Sequence, residues 1–192
     1  MAAPRKLSPA HPRVKICGIT TPEDLLMADA AGADYAGLIL APGSKRRVSA
    51  EALAAMGRLA VRIKRVGVFV RATPREIARA VRVGHLQVVQ LYHCTFRRAG
   101  VEVWHATPVA GRKRAIVLDA APGQGRVGNW EKAARMARRR KIVLAGGLGP
   151  ENVAAAIATV HPWAVDTASG TEAAPGRKDP SKVDSFIRKA KP

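Results

Sequence analysis

A compact (β/α)8 barrel is the α/β fold that this sequence predicts, on three observations. Short apolar or β-branched runs alternate with helix-period stretches along the chain. The runs are apolar on successive residues rather than on every second one, the pattern of parallel strands covered on both faces. Eight such units fall within 192 residues, against the roughly 250 typical of an eight-stranded barrel, so the connections have to be short. A doubly wound open sheet is the rival architecture, and it accommodates the short connections no better.

The candidate strands are residues 14–17, 35–40, 65–70, 86–91, 101–105, 115–119, 141–145 and 164–167. Helical patterns cover 22–31, 50–63, 74–83, 130–140, 150–160 and 180–190. Three of them open on Thr21-Pro22, Thr73-Pro74 and Asp179-Pro180. The first residue of each pair caps the helix, and proline follows where its missing N–H costs nothing. Only 92–100 separates strands four and five, and only 106–114 separates five and six. A parallel crossover usually takes a dozen or more residues, so helices four and five are expected to be shortened or replaced by loops. Residues 1–12 read as a flexible tail lacking the apolar stretch of a secretory signal, and 13–192 as a single barrel domain. The segments 121–128 and 173–179 read as loops.

With 47% apolar residues the chain can bury a sizeable core. Its longest apolar runs, at 35–42 and 142–145, fall far short of the roughly 18–20 residues that cross a bilayer, so no membrane role is expected. Two cysteines, Cys17 and Cys94, make neither a disulfide framework nor a zinc site, and a reducing cytoplasm is expected. His11, His85, His93, His105 and His161 share no ligand spacing with them, so no metal is expected. The net charge of +19 directs attention to anionic partners, either a phosphorylated small molecule or nucleic acid. The basic run 135–141 lies in a helical pattern, where it reads first as a solvated face, and nucleic acid is set aside.

Four strand ends hold residues that chemistry could use. Cys17 closes strand one before a glycine turn, as a base or nucleophile if neighbouring cations lower its pKa, or else as a small buried hydrophobe. Asp119 closes strand six, as a general acid or as a turn cap. Gly146 and Gly147 after strand seven, with Ser169 and Gly170 after strand eight, supply small-residue loops at the usual phosphate site of such barrels. Three cations, Lys45, Arg46 and Arg47, follow strand two, where a guanidinium could grip a carboxylate.

These residues lie within KICGIT (15–20), SKRRVS (44–49), VGVFV (66–70), VVQLY (88–92), VLD (117–119), LAGGLGPENV (144–153), VDTASGTE (165–172) and GRKDPSKV (176–183). In that order the motifs resemble the phosphoribosylanthranilate isomerases over 14–189. The resemblance implies a cofactor-free Amadori rearrangement in tryptophan biosynthesis, with Cys17 as the base at C2′ and Asp119 as the acid at the ring oxygen. Arg46 would then contact the anthranilate carboxylate. Backbone N–H groups of Gly146, Gly147, Ser169 and Gly170 would hold the phosphate, and Asp166 would orient the substrate or its loop. For work near neutral pH the Asp119 pKa should be raised and that of Cys17 lowered. A monomer or a homodimer is expected.

The sequence departs from the family at three places. The histidine expected after Gln90-Leu91 is Tyr92, with His93 one step later; the glycine loop reads Gly123-Gln124-Gly125; and Asn129 replaces an aspartate before Trp130. The sequence admits two other readings. A different phosphate-binding barrel enzyme would need metal-binding His and Asp, or a Lys and Glu pair at strand ends, and neither set is evident. A nucleic-acid-binding protein would rest on Arg138, Arg139, Arg140 and Lys141.

Overall fold

The computed structural model describes residues 11–106, 115–119 and 130–192. Of the expectations above, the tail at 1–10, the crossover at 107–114, the glycine loop at 123–125 and Asn129 lie outside the described residues. Eight parallel strands close into one barrel in sequence order. They are β1 (Arg13–Cys17), β2 (Tyr35–Ile39), β3 (Lys64–Val70), β4 (Val88–Tyr92), β5 (Glu102–His105), β6 (Ile116–Asp119), β7 (Ile142–Ala145) and β8 (Ala164–Thr167). The ring is sealed by β8 against β1, with Lys15 in register with Asp166. The predicted barrel is therefore present and the open sheet is excluded.

Among the described residues six helices cover it: α1 (Pro22–Ala30), α2 (Ala50–Arg58), α3 (Pro74–Val83), α4 (Trp130–Ala137), α5 (Val153–Val160) and α6 (Pro180–Ala190). Their starts follow side-chain chemistry. Thr21, Ser49 and Asp179 accept hydrogen bonds from first-turn N–H groups, and Thr73 with Glu76 forms a reciprocal capping box. Between β4 and β5 no helix forms, as the short gap requires.

Four segments differ from the sequence reading. The second helix stops at Arg58, not at 63, because the Arg65 guanidinium of the next strand donates to the carbonyls of Met56 and Leu59 and caps the helix from outside. Asp29 then holds the connector by accepting from the N–H groups of Arg62 and Ile63. The fifth helix starts at Val153 rather than 150, since the Asn152 side chain is spent on the preceding glycine loop. The fourth ends at Ala137, which puts Arg138, Arg139 and Arg140 in a turn rather than on a helical face. Finally, 173–179 is no plain loop: β9 (Glu172–Ala174) and β10 (Arg177–Lys178) pair as a small antiparallel hairpin.

The core has two parts. The larger packs the outer face of the strands (Val14, Ile16, Leu38, Val89, Leu91) against Leu25, Met56, Ile77 and Phe186 of the helices. The smaller draws on strand residues and their flanks, and so lines the barrel's interior: Tyr35, Val66, Val88, Trp104, Val117, Val143 and Trp163. Three aromatic rings stack edge to face at its floor, Tyr35 to Trp104 at 4.8 Å and Trp104 to Trp163 at 5.7 Å. Burial there pushes the Tyr35 hydroxyl up to about 12. With the floor sealed by rings, the opposite end, where the strands terminate, is left for chemistry.

Candidate active site

Strands β1 and β8 build the centre. Side chains alternate along a strand, so Lys15 and Cys17 share the barrel's inner side. Lys15 is fully buried, and its ammonium donates to Asp166 Oδ2 at 2.8 Å. A buried charge has to be paired, and the register of β1 with β8 supplies the partner. Cys17 is buried beside them, its sulfur resting on the backbone of β2: a Cβ added at Gly37 would lie 2.6 Å from Sγ and 3.0 Å from the Cys17 Cα.

Burial pushes the Cys17 thiol up, and the Lys15 ammonium opposes this through its charge and a hydrogen bond. The net direction is upward, which corrects the expectation of a lowered value. Desolvation of the thiolate outweighs the cation because the side chain is largely withdrawn from water. Gly37→Ala is expected to drive the sulfur from its seat and to lower kcat by roughly 10- to 100-fold, the scale of a misplacement of about 1 Å. Steady-state kinetics check this, and an unchanged kcat would remove Gly37 from the site.

The loop after β2 folds back on its own strand. The Ser44 hydroxyl accepts from the Arg46 N–H, and the Val48 N–H donates to Ile39. Arg46 is thereby turned toward the β9–β10 hairpin, where Nε and Nη2 donate to the two carboxylate oxygens of Glu172 at 2.8 and 2.7 Å. Lys45 and Arg47 beside it are exposed. Glu172 also accepts from the buried Lys178 ammonium at 3.2 Å and from the Gly176 N–H at 3.2 Å. The hairpin is tied down elsewhere by Thr20 Oγ1 donating to the Gly176 carbonyl at 2.6 Å and by Lys178 Nζ donating to the Ala168 carbonyl at 2.9 Å.

The glycine loops after β7 and β8 meet backbone to backbone. Gly146 and Gly147 both hold positive φ, at 92° and 66°, a path that side chains disfavour. A Cβ at Gly170 would lie 2.1 Å from the Leu148 carbonyl oxygen and 2.8 Å from the Gly149 Cα, so only glycine admits this contact. Thr167 Oγ1 donates to the Leu148 carbonyl at 2.6 Å, and the Asn152 amide bridges Gly147 and Gly149. Ser169 begins a short 3-10 turn, Ser169–Thr171, with its side chain exposed.

Of the residues expected from sequence, Cys17 and Asp166 share one network through Lys15, Arg46 belongs to a second cluster on the hairpin whose charges act on Cys17, and the four small residues form one rim. Asp119 closes β6, its backbone in register with Ala145 immediately before Gly146. Tyr92, not His93, takes the last position of β4, where its hydroxyl accepts from the Gln90 amide at 3.1 Å. His93 is exposed on left-handed backbone. Cys94 packs half-buried against the larger core, and both thiols are free. The parts played by Lys15, Gly37, Glu172 and Lys178 emerge only from the structure. Lys15 alone carried a usable signal, a cation in the middle of an otherwise apolar strand.

No helix among the described residues is long and apolar enough to cross a membrane, and no cluster of three or more His, Cys, Asp or Glu there is arranged to hold a metal.

The family model described as N-(5′-phosphoribosyl)anthranilate (PRA) isomerase matches residues 14–189. An N-(5′-phosphoribosyl)anthranilate isomerase of Trichlorobacter lovleyi is 42% identical over 93% of this chain and 98% of its own length. Among solved structures, the monomers generated from the dimeric phosphoribosylanthranilate isomerase of Thermotoga maritima superpose with a TM-score of 0.80 at 37% identity, covering 94% of this chain and 98% of theirs. A phosphoribosylanthranilate isomerase in complex with reduced 1-(o-carboxyphenylamino)-1-deoxyribulose 5-phosphate is similar to the same extent, with a TM-score of 0.80 at 36% identity and the same coverage.

Proposed function

The chain belongs to the N-(5′-phosphoribosyl)anthranilate isomerase family, and on that premise we propose that Cys17 and Asp119 carry its two proton transfers while Arg46 and the loops after β7 and β8 hold the substrate's anionic ends. The reaction is the isomerisation of N-(5′-phosphoribosyl)anthranilate in tryptophan biosynthesis. It is an internal redox exchange, in which C1′ of the sugar is reduced and C2′ oxidised, so the electrons stay within the substrate. Asp119 protonates the furanose ring oxygen as its bond to C1′ breaks, and the nitrogen lone pair forms the C1′=N bond. Cys17, as thiolate, then takes the C2′ proton; the freed pair becomes C1′=C2′ and the imine pair returns to nitrogen. Protonation at C1′ and loss of the hydroxyl proton at C2′ leave the ketone, 1-(2-carboxyphenylamino)-1-deoxyribulose 5-phosphate.

The observation that carries this assignment is the setting of Cys17, a thiol at the barrel's open end beside a buried ammonium. Lys15 offsets part of the burial that favours the thiol, and Asp166 acts from behind as the counter-ion that keeps Lys15 in place. The rim made by Gly146, Gly147, Ser169 and Gly170 offers backbone N–H groups to the phosphate. Arg46 offers a planar donor set to the anthranilate carboxylate. This base needs an unoxidised sulfur, and that requirement supports the reading of a reducing, cytoplasmic setting. Assembly as a monomer, or as a homodimer like the Thermotoga maritima relative, is separated by sedimentation velocity.

The test is the fluorescence of freshly generated N-(5′-phosphoribosyl)anthranilate on addition of purified protein. A loss proportional to protein concentration is expected, with the carboxyphenylamino-deoxyribulose phosphate recovered as product. Folded protein that leaves the signal unchanged would overturn the assignment.

A further inference from the structure

Arg46 meets two demands that conflict. Its assigned partner is the substrate's carboxylate, yet in this structure its guanidinium already holds a carboxylate of the protein through Nε and Nη2. The pairing takes one edge of the fork. Two hydrogens on Nη1 and one on Nη2 remain, and one from each nitrogen makes up the other edge, which also matches a carboxylate. The protein side of the pair is rigid. The Glu172 side chain is 5% exposed and that of Lys178 0%, whereas Arg46 keeps 26% of its surface open. Burial alone would push the Glu172 carboxyl up, but the Arg46 hydrogen bonds and the Lys178 charge hold it below the ordinary glutamate value, so it stays ionised. The arginine stem is seated as well, because a Cβ at Gly18 would come within 2.8 Å of the Arg46 Cδ.

We propose that Glu172 is a positioning residue for substrate specificity, fixing one edge of the Arg46 guanidinium so that the other is presented ready-made to the carboxylate of the anthranilate ring. The proposal rests on the reading of Arg46 as the carboxylate contact. A free arginine loses much of its rotamer freedom on binding, and one already pinned by Glu172 has little left to lose. The hairpin β9–β10 is then the element that sets specificity, since it brings Glu172, Gly176 and Lys178 to one point.

Electrostatics and positioning predict opposite signs for one substitution. Glu172→Gln removes a negative charge from a site for an anionic substrate, so a purely electrostatic role would lower KM. A positioning role raises it, by roughly tenfold with kcat within about threefold, as the loss of a binding interaction shared by ground and transition states requires. The experiment measures KM, kcat and three inhibition constants on wild type, Arg46→Ala, Glu172→Gln and Glu172→Asp. The inhibitors are the reduced carboxyphenylamino-deoxyribulose phosphate, its analogue lacking the ring carboxylate, and inorganic phosphate.

Wild type is expected to prefer the carboxylated inhibitor. Arg46→Ala and Glu172→Gln are both expected to lose most of that preference while inhibition by phosphate is unchanged. Glu172→Asp keeps the charge and can still serve Lys178, but it is one methylene too short to hold both Arg46 donors; it is expected to lose the preference too, and it decides the matter should Glu172→Gln fail to fold. Preference lost in Arg46→Ala but kept in either Glu172 variant overturns the proposal alone. Preference kept in Arg46→Ala overturns the carboxylate reading of Arg46, and the proposal with it.

Discussion

Cys17→Ala is expected to lower kcat by about 10²- to 10⁴-fold, the range that a single general base contributes, while the product is bound within a few-fold of wild type. The contrast follows from where the residue stands. Cys17 is surrounded by charges that pair with one another, Lys15 with Asp166 and Arg46 with Lys178 through Glu172. Removing a sulfur leaves those pairs intact, so the groups proposed to bind the substrate's ends stay in place. Asp119→Asn is expected to fall by a similar factor, since the amide cannot deliver a proton to the ring oxygen. Progress curves from substrate fluorescence give kcat, and calorimetric titration with the reduced product gives affinity. Either variant turning over near the wild-type rate would remove the role assigned to that residue.

Lys15→Met should be the costliest single change to stability. It leaves Asp166 buried without that cation, and breaking a buried pair from one side costs about 3–5 kcal/mol. At roughly 2–4 °C per kcal/mol for a chain of this size, the Tm should fall by about 6–20 °C. The double variant Lys15→Met/Asp166→Asn should recover part of the loss, because both charges are then gone. Burial works against the Lys15 ammonium, but the Asp166 charge more than offsets it and holds the pKa above the ordinary lysine value. A group raised in this way contributes its stability fully below the ordinary lysine value, and loses it only as pH rises through the higher folded one. The pair is thus intact at any assay pH near neutrality.

Activity adds a signed test. Lys15 lowers the Cys17 pKa and Asp166 raises it, with Lys178 acting in the same direction as Lys15. If Cys17 is the base, the rising limb of kcat/KM against pH should move to higher pH in Lys15→Met and to lower pH in Asp166→Asn. Shifts of the same sign would show that the two substitutions merely loosen the barrel.

Much of the fold was legible in sequence because its signals are local. The eight strands announce themselves as apolar runs, and the helix starts at Thr21, Thr73 and Asp179 are fixed by side chains that cap within three residues. The second helix was read five residues too long because its end is set by Arg65, a strand residue that reaches back to it. The β9–β10 hairpin has three- and two-residue strands rich in small and charged side chains, so no periodicity betrays it. What stabilises it is a set of bonds to Arg46 and Thr20, far away in sequence.

The site divides along the same line. Cys17, Arg46 and the glycine loops stand at strand ends, where a barrel places its chemistry, and topology alone points to them. Their supports are not legible in sequence: Lys15 meets Asp166 only because the barrel closes, and Glu172 meets Arg46 only because the hairpin folds against the loops that follow β1 and β2. The upward direction of the Cys17 pKa is hidden from the sequence for a related reason. Neighbouring cations can be counted in a sequence, whereas enclosure of the sulfur cannot.

Closure by β8 also has a consequence in time. Lys15 and Asp166 are 151 residues apart, Arg46 and Glu172 126, and Thr20 and Gly176 156. Translation at about 5–20 residues per second delivers the lysine on the order of ten seconds before its counter-ion. Throughout that interval Lys15 lacks the carboxylate it pairs with in the finished barrel, so burying its ammonium is costly. The nascent chain is therefore expected to hold β1 short of its final seat until residue 166 emerges, and the charge pairs around Cys17 are completed only with the last strand and its hairpin.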